Sequence, residues 1–377
     1  MRFSRCCVQK TGDITPFAAS SLICRRRTSM NTIDRVFNTG GVLLASVVAL
    51  VAVTTTTAQS VSIDFVTVGY LGNPSDSNGR GSVNYQYQIG KFEVTNTQYA
   101  AFLNAVAKTD TYNLYSSEMG SSQFGGISRA GSAGSYTYEV KSGFGNKPVV
   151  FVSFWDAARF TNWLHNGQGS GDTETGAYTL GGVANPVFSA GIRTTSASVF
   201  LPSKDEWHKA AYYDPTKDGT GAYWEFPTTS NELSGNTVGT AQGANFFFGG
   251  KTGGVFANYG PPTYAENVGP GTVDVGAYPA PSFFGTFDQG GNVWEWNDSD
   301  VGGNFRGLRG GAWDYALSTL LSNSADLSYL PQSEDRSTGF RVASLAPIPE
   351  PSTYAAIVGL VSLGVATWRR RAGRGNA

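Results

Sequence analysis

Three kinds of side chain here could do chemistry: thiols, imidazoles, and a carboxylate set among glycines. The thiols are Cys6, Cys7 and Cys24, all within the first 24 residues. Thiolates are the soft ligands that copper(I) requires. These three precede an apolar run from Val42 to Val53, so a body exported after that run holds none. The imidazoles are His165 and His208, too few for a three-histidine iron site. His165 ends a helical stretch, where the helix C-terminus favours a protonated ring and a structural role. No serine sits in a nucleophile elbow, and Gly249-Gly250 do not make a phosphate loop. The carboxylate is Asp288, which opens the run Asp288 to Trp296. Gly290 and Gly291 let the backbone fold tightly there, so that carbonyls point inward. Hard, oxygen-only coordination of that kind suits Ca²⁺. The competing reading is a tight turn packed by Trp294 and Trp296, with Glu295 paired to Arg309 or Arg341. Asp298 to Asp300 reads as a solvated loop. Tyr223, Trp224, Trp294, Trp313 and Tyr315 could stack on sugar or peptide faces, although Trp294 and Trp296 equally suit a core.

The elements that must position these groups are short. Ser60 to Val68 alternates apolar and polar residues as a half-buried strand does, and Tyr85 to Ile89 reads as a second strand. A helix is expected over Gln98 to Ala107, capped by Thr95 or Asn96. Residues 116–146 are Gly/Ser-rich and read as loop. Lys147 to Ser153 reads as a buried strand, Trp155 to Leu164 as a second helix, and 166–198 as a polar insertion. A third helix runs to about Tyr213, with Ser203 and Glu206 forming a capping box. From Asp214 to Tyr278 periodicity is weak, and long irregular stretches usually serve function or bound ions.

Composition narrows the class. Hydrophobic residues make up 40% and aromatics 13%, enough for a sizeable core, and 48 glycines argue for loops over bundles. The formal charge of −1 hides an acidic body, because residues 59–351 hold 26 acidic against 16 basic side chains. Nucleic-acid binding needs clustered Lys and Arg, and the body has no such cluster. Three parts are expected: 1–58, an N-terminal extension and signal peptide; 59–346, the main domain; and 347–377, a tail. Arg25-Arg26-Arg27 and Arg35 precede the apolar run, and Thr56-Thr57-Ala58 supply the small residues of a cleavage site. Met30 is an alternative start.

The tail begins with Pro349-Glu350-Pro351, continues apolar from Tyr354 to Trp368, and closes on Arg369-Arg370-Arg371. This resembles the PEP-CTERM sorting signal. The resemblance implies an exosortase as processing partner and a Gram-negative, polysaccharide-producing source. It also implies transit from the inner membrane to periplasm, outer membrane or cell surface. A stop-transfer segment with cations left on the cytoplasmic side fits the pattern. Export permits disulfides, but the body has no thiols to form them.

Six segments lie in an order similar to that of the formylglycine-generating enzyme (sulfatase-modifying factor) family. They are Ile89-Gly90-Lys91-Phe92-Glu93-Val94-Thr95-Asn96, the run Pro148 to Ala158, Leu201-Pro202-Ser203-Lys204-Asp205-Glu206-Trp207, Gly291-Asn292-Val293-Trp294-Glu295-Trp296, Arg309-Gly310-Gly311-Ala312-Trp313 and Gly339-Phe340-Arg341. The resemblance covers about residues 66–344. It implies a single α+β domain, C-type-lectin-like and loop-rich, with few short helices and strands. It implies a structural Ca²⁺ on Asp288 and the carbonyls of Gln289, Gly291 and Val293. A second, looser Ca²⁺ site maps to Asn258, Tyr259, Asn267 and Gly269, with Asn267 where the family has an acid. The family's copper-binding cysteines fall on Tyr315 and Leu320, neither of which binds Cu(I), so no catalytic residue and no copper are expected. The expectation is an exported pseudoenzyme: a binding or structural module with a glycan or peptide ligand, tied to exopolysaccharide. The alternatives are a formylglycine-generating oxidase acting on sulfatases and another enzyme reusing the fold.

Overall fold

Three of the helices start on the same reciprocal device. α1 (Asn96–Val106) is capped by Thr95, whose hydroxyl accepts the Gln98 amide while the Gln98 side chain accepts the Thr95 amide. α2 (Ser117–Ser121) is a single short turn without a side-chain cap. α3 (Phe154–His165) is capped by Ser153 and Asp156. α4 (Lys204–Tyr212) is capped by Ser203 and Glu206, as expected. Each capping box satisfies two backbone donors that the helix itself cannot.

The computed structural model describes residues 60–345 apart from 234, 236, 246–250, 253–254, 257–270, 315–321 and 325. The strands in chain order are β1 (Phe65–Val68), β2 (Tyr87–Gly90), β3 (Ile127–Ala130), β4 (Thr137–Val140), β5 (Val199–Phe200), β6 (Tyr213–Asp214) and β7 (Ala222–Tyr223). They continue with β8 (Lys251–Thr252), β9 (Val255–Phe256), β10 (Trp294–Asp300), β11 (Arg306–Arg309), β12 (Leu327–Tyr329), β13 (Thr338–Gly339) and β14 (Ala343–Ser344). One antiparallel sheet has the order β1-β2-β14-β5. The other has the order β12-β11-β10-β13, with β13 parallel to β10 and a bulge in β10 between Trp296 and Asp300. Both sheets draw strands from the far C-terminal segment, so residues 338–344 tie the whole domain together.

α3 lies between them and is buried nearly all round. Its Phe160 and Trp163 meet Phe102 of α1 at centroid distances of 5.4 Å, and Phe340 meets Phe160 at 5.4 Å. Edge-on aromatic packing of this kind adds to the area buried.

Two expectations need correction. Lys147 to Ser153 is buried but is not a strand: Pro148 makes one isolated bridge to Thr95, and Phe151 has φ 61°. A bulky residue in the left-handed region ends any ladder, and the Phe151 amide turns instead to the Asp335 carbonyl at 2.9 Å. Residues 116–146 are not all loop, because they hold α2 and the β3–β4 hairpin. Arg129 on that hairpin stacks over Tyr115 and Tyr136, with 4.6 and 4.3 Å to their ring centroids. The insertion 166–198 is moored through Glu174, which accepts two hydrogen bonds from buried Arg159 at 2.7 and 3.1 Å.

Candidate functional site

The turn that opens β10 is built from left-handed residues: Asp288 (φ 60°), Gly291 (φ 90°) and Asn292 (φ 59°). A few bonds hold it. Asp288 Oδ2 accepts the Gly276 amide at 2.6 Å, the Gly291 amide donates to the Gly310 carbonyl at 2.7 Å, and Asn292 Oδ1 accepts the Val273 amide at 3.0 Å. Gly310, at φ 102°, passes so close that a Cβ there would stand 2.9 Å from the Gln289 carbonyl oxygen. The Gln289 side chain is fully committed, accepting from the Thr286 hydroxyl and donating to the Trp207 carbonyl.

Behind the turn lies a buried charge cluster. Glu295 accepts two hydrogen bonds from Arg341, at 2.6 and 2.7 Å, and one from the Trp207 indole at 2.8 Å. The pairing left open between Arg309 and Arg341 thus falls to Arg341. Arg309 sits instead against the His208 ring, with Nη1 3.3 Å from Nδ1. Glu93 Oε1 accepts from Asn292 at 3.1 Å, while its Oε2 is buried with no hydrogen-bond partner. Three carboxylates, the buried Glu93 and Glu295 and the partly buried Asp288, therefore act on one guanidinium. Burial raises Glu93 well above the usual carboxylate range, and it pushes Asp288 up to about 6.

The donor set at this turn is all oxygen and carries surplus negative charge, which fits a hard cation. Among the described residues no three His, Cys, Asp or Glu side chains stand where they could hold a metal. Asp288, Gln289, Gly291 and Val293, the residues that resemblance assigns to calcium, follow one another along this turn. The second set, Asn258, Tyr259, Asn267 and Gly269, lies outside the described residues, as do Tyr315 and Leu320.

The candidate stacking aromatics separate. Trp294 and Trp296 are core, and the Trp296 indole donates to the Val152 carbonyl at 3.0 Å. Tyr223 packs on His208 at 5.3 Å, and Trp224 donates to Asp214 at 3.1 Å. The Asp298 region is not simply a solvated loop: Asp298 is largely buried and accepts from Arg193 at 2.7 Å and Tyr178 at 3.2 Å. His208 is fully buried, with Nε2 3.0 Å from Asp76 Oδ2, and burial lowers its pKa to about 4. His165 accepts the Ser198 amide at Nδ1 (3.1 Å), a structural contact.

Trp313 packs on Phe124, one of the residues lining an open cleft of about 580 Å³. Glu118, Phe124, Phe151, Asp314, Glu334 and Arg336 are among its lining residues. Phe124 packs on Trp313 with centroids 4.8 Å apart, and the Arg336 guanidinium lies 5.4 Å from Phe124 and 5.5 Å from Trp313. Arg336 Nε donates to Asp314 Oδ2 at 3.0 Å. Burial raises the Glu334 carboxyl, offset in part by a hydrogen bond from Ser116. Sequence reasoning missed Glu118 and Phe124 because they sit in the segment read as loop. The acidic-basic run Glu334-Asp335-Arg336, just before the Gly339-Phe340-Arg341 motif, was the available signal.

A family model described as "Sulfatase-modifying factor enzyme 1-like domain" matches residues 66–346, and a "PEP-CTERM protein-sorting motif" matches residues 347–371. The sorting motif marks an exported, envelope-directed protein of a Gram-negative bacterium that an exosortase processes. Among the described residues no helix is long and apolar enough to cross a membrane, and the tail lies outside them. No curated protein matches the chain. Similar solved structures include CarF, at 22% identity and TM-score 0.44 over 76% of this chain and 99% of that one. Treponema denticola variable protein 1 is similar at 18% identity and TM-score 0.44, over 77% of this chain and 98% of that one. PvdO from Pseudomonas aeruginosa follows at 16% identity and TM-score 0.38, over 75% of this chain and 91% of that one. With its α+β, loop-rich architecture and a family match across residues 66–346, the chain belongs to the sulfatase-modifying factor enzyme 1-like family.

Proposed function

We propose that this protein is an exported, surface-directed binding or structural module that has kept the family scaffold and given up its oxidation chemistry. One observation carries the reading: no cysteine occurs after Cys24, and Tyr315 and Leu320 stand at the positions that resemblance assigns to the reactive thiols. Neither a phenol nor an isobutyl group replaces a thiolate as a Cu(I) ligand. The cleft beside Trp313 is the surface on which a ligand would sit. The sorting motif points the module toward the cell surface and its extracellular polysaccharide. A structural calcium ion at the Asp288 turn belongs to the same reading, as a clamp for a domain that has no disulfides.

Competition titration of the purified protein against a chromophoric Cu(I) chelator tests the loss of copper chemistry. No stoichiometric tight site is expected, and one tight Cu(I) per chain would contradict the proposal. Cell fractionation tests the address. Deleting Pro349 to Ala377 should release protein into the periplasm, whereas Glu350→Ala should leave it membrane-bound and unprocessed in a host with an exosortase. Wild-type distribution of both variants would contradict the assignment.

A further inference from the structure

β1 and β14 flank β2 and both run antiparallel to it, so they point the same way and leave the sheet at the same end. Val68 stands opposite Tyr87 and Ser344 opposite Gln88. The two exits are therefore level to within a residue and about 10 Å apart, two strand spacings. β1 runs on into Gly69-Tyr70-Leu71-Gly72, and β14 into Leu345 and the tail. The first exit is apolar and open to water: Tyr70 is 54% exposed, Leu71 65% and Phe283 36%. The Tyr70 ring lies 6.0 Å from Phe283 and 6.4 Å from Phe284, centroid to centroid, so the three rings form one surface. The loop bearing Phe283 and Phe284 is seated on β1, since a Cβ on Gly285 would touch Val66 at 3.6 Å. The display is also held from below. Tyr70 has φ 56°, a conformation that bulky side chains rarely adopt, and the buried Lys209 ammonium donates to its carbonyl at 2.9 Å.

Exposed apolar surface that the fold holds in place marks an interaction face, and the tail points to its occupant. Resting on the reading of the tail as a membrane anchor before processing, we infer that Tyr70, Leu71, Phe283 and Phe284 rest in the interface of the bilayer that holds the tail. Only eight residues, 346–353, separate Leu345 from the apolar stretch that starts at Tyr354. Fully extended, they reach about 28 Å at most, so the bilayer lies within that distance of the sheet end that carries the rings. Aromatic side chains favour the headgroup level, and the apolar faces of interfacial segments sit about 5–10 Å into that boundary. The stretch from Tyr354 to Trp368 is 15 residues long, where a full span needs about 20, so a second contact adds to its hold. The same contact fixes how the body stands over the membrane while Pro349-Glu350-Pro351 is presented for processing.

Fluorescence quenching of the full-length chain on vesicles of phosphatidylethanolamine and phosphatidylglycerol with brominated acyl chains tests this. Leu71→Trp and Phe283→Trp place reporters in the surface, and Phe92→Trp places one past the opposite end of β2. Emission is read as the difference from the wild type. The first two reporters should lose most of their added emission on brominated vesicles and keep it on unbrominated ones, while the third stays bright on both. Hydrogen exchange on the unaltered chain needs no variant: residues 69–72 and 282–285 should gain protection when vesicles are added, and residues 91–92 should not. A chain that does not float with vesicles would overturn the tail anchor and this inference together. A chain that floats while the Leu71→Trp and Phe283→Trp reporters stay bright and residues 69–72 stay unprotected would overturn this inference alone. Reporters shielded from aqueous iodide yet untouched by brominated lipid would put a protein on the surface instead, and would overturn it as well.

Discussion

The buried charges and the cleft charges of this domain are arranged in opposite ways. In the interior, three guanidinium groups meet carboxylates through short bonds, while buried Arg306 donates to backbone carbonyls and Arg309 lies against His208. Arg341 grips Glu295, Arg159 grips Glu174, and Arg193 reaches Glu206 at 2.7 Å and Asp298 at 2.7 Å. In the cleft, four carboxylates share one half-exposed arginine. The difference separates scaffold from surface. An ion taken out of water must be paired, so the interior pairs lock one arrangement of short strands and loops. In the cleft Asp314 is paired with Arg336 and Asp335 accepts from Ser337, while Glu118 stays exposed to water, where an unpaired carboxylate carries little energetic penalty.

The sharpest way to break this comparison is to unpair the interior. Arg341→Met should destabilise the domain by about 3–5 kcal/mol, because it strands Glu295 beside Glu93 and Asp288. The double change Arg341→Met with Glu295→Gln should recover part of that loss. Denaturant unfolding checks both, and a loss below about 1 kcal/mol for the single change would mean the pair behaves like a surface one.

Calcium comes next. A ligand bound only to the folded state should raise stability by about 2.7 kcal/mol at a hundred times its dissociation constant. The melting temperature should therefore rise with calcium and fall with EDTA, and Asp288→Ala should abolish most of that difference. A wild-type melting curve unmoved by EDTA would remove calcium from the account.

A smaller effect concerns pH. Burial pushes Asp156, the α3 cap, up to about 7, against about 3.9 in an unfolded chain. The folded state then holds a proton that the unfolded chain releases, so this group's stabilisation is complete below about pH 4 and is lost as pH rises towards 7. Asp156→Asn should flatten the melting temperature's slope between those limits while keeping the cap. An unchanged slope would locate the dependence in other buried acids, such as Glu93.

How much of this was legible beforehand follows from the range of the interactions. The caps at Thr95 and Ser203 are local and placed α1 and α4 within a residue or two, and the apolar residues of Trp155 to Leu164 placed α3 as closely, although its cap, Ser153, was read as the end of a strand. The Glu295–Arg341 pair was readable as one of two choices. Choosing between them required knowing that β10 lies parallel to β13, just before Arg341. Lys147 to Ser153 misled because its apolar run is the pattern of a buried strand, and only the tertiary bond from Phe151 to Asp335 explains its break. The cleft was hard to read because Glu118, Phe124, Asp314 and Arg336 come from three segments far apart in the chain with no shared motif. The tight turn at Asp288 was legible in its glycines, but its buried neighbour Glu93 stands 195 residues away from Asp288.

The central claim is that the scaffold persists without its oxidation chemistry. Mass spectrometry of a cysteine-containing sulfatase peptide, incubated with the purified full-length chain, Cu(I) and oxygen, tests it most directly. The account predicts that the peptide keeps its thiol and that oxygen consumption matches the protein-free control. Aldehyde on the peptide, formed catalytically and dependent on the chain, would contradict it.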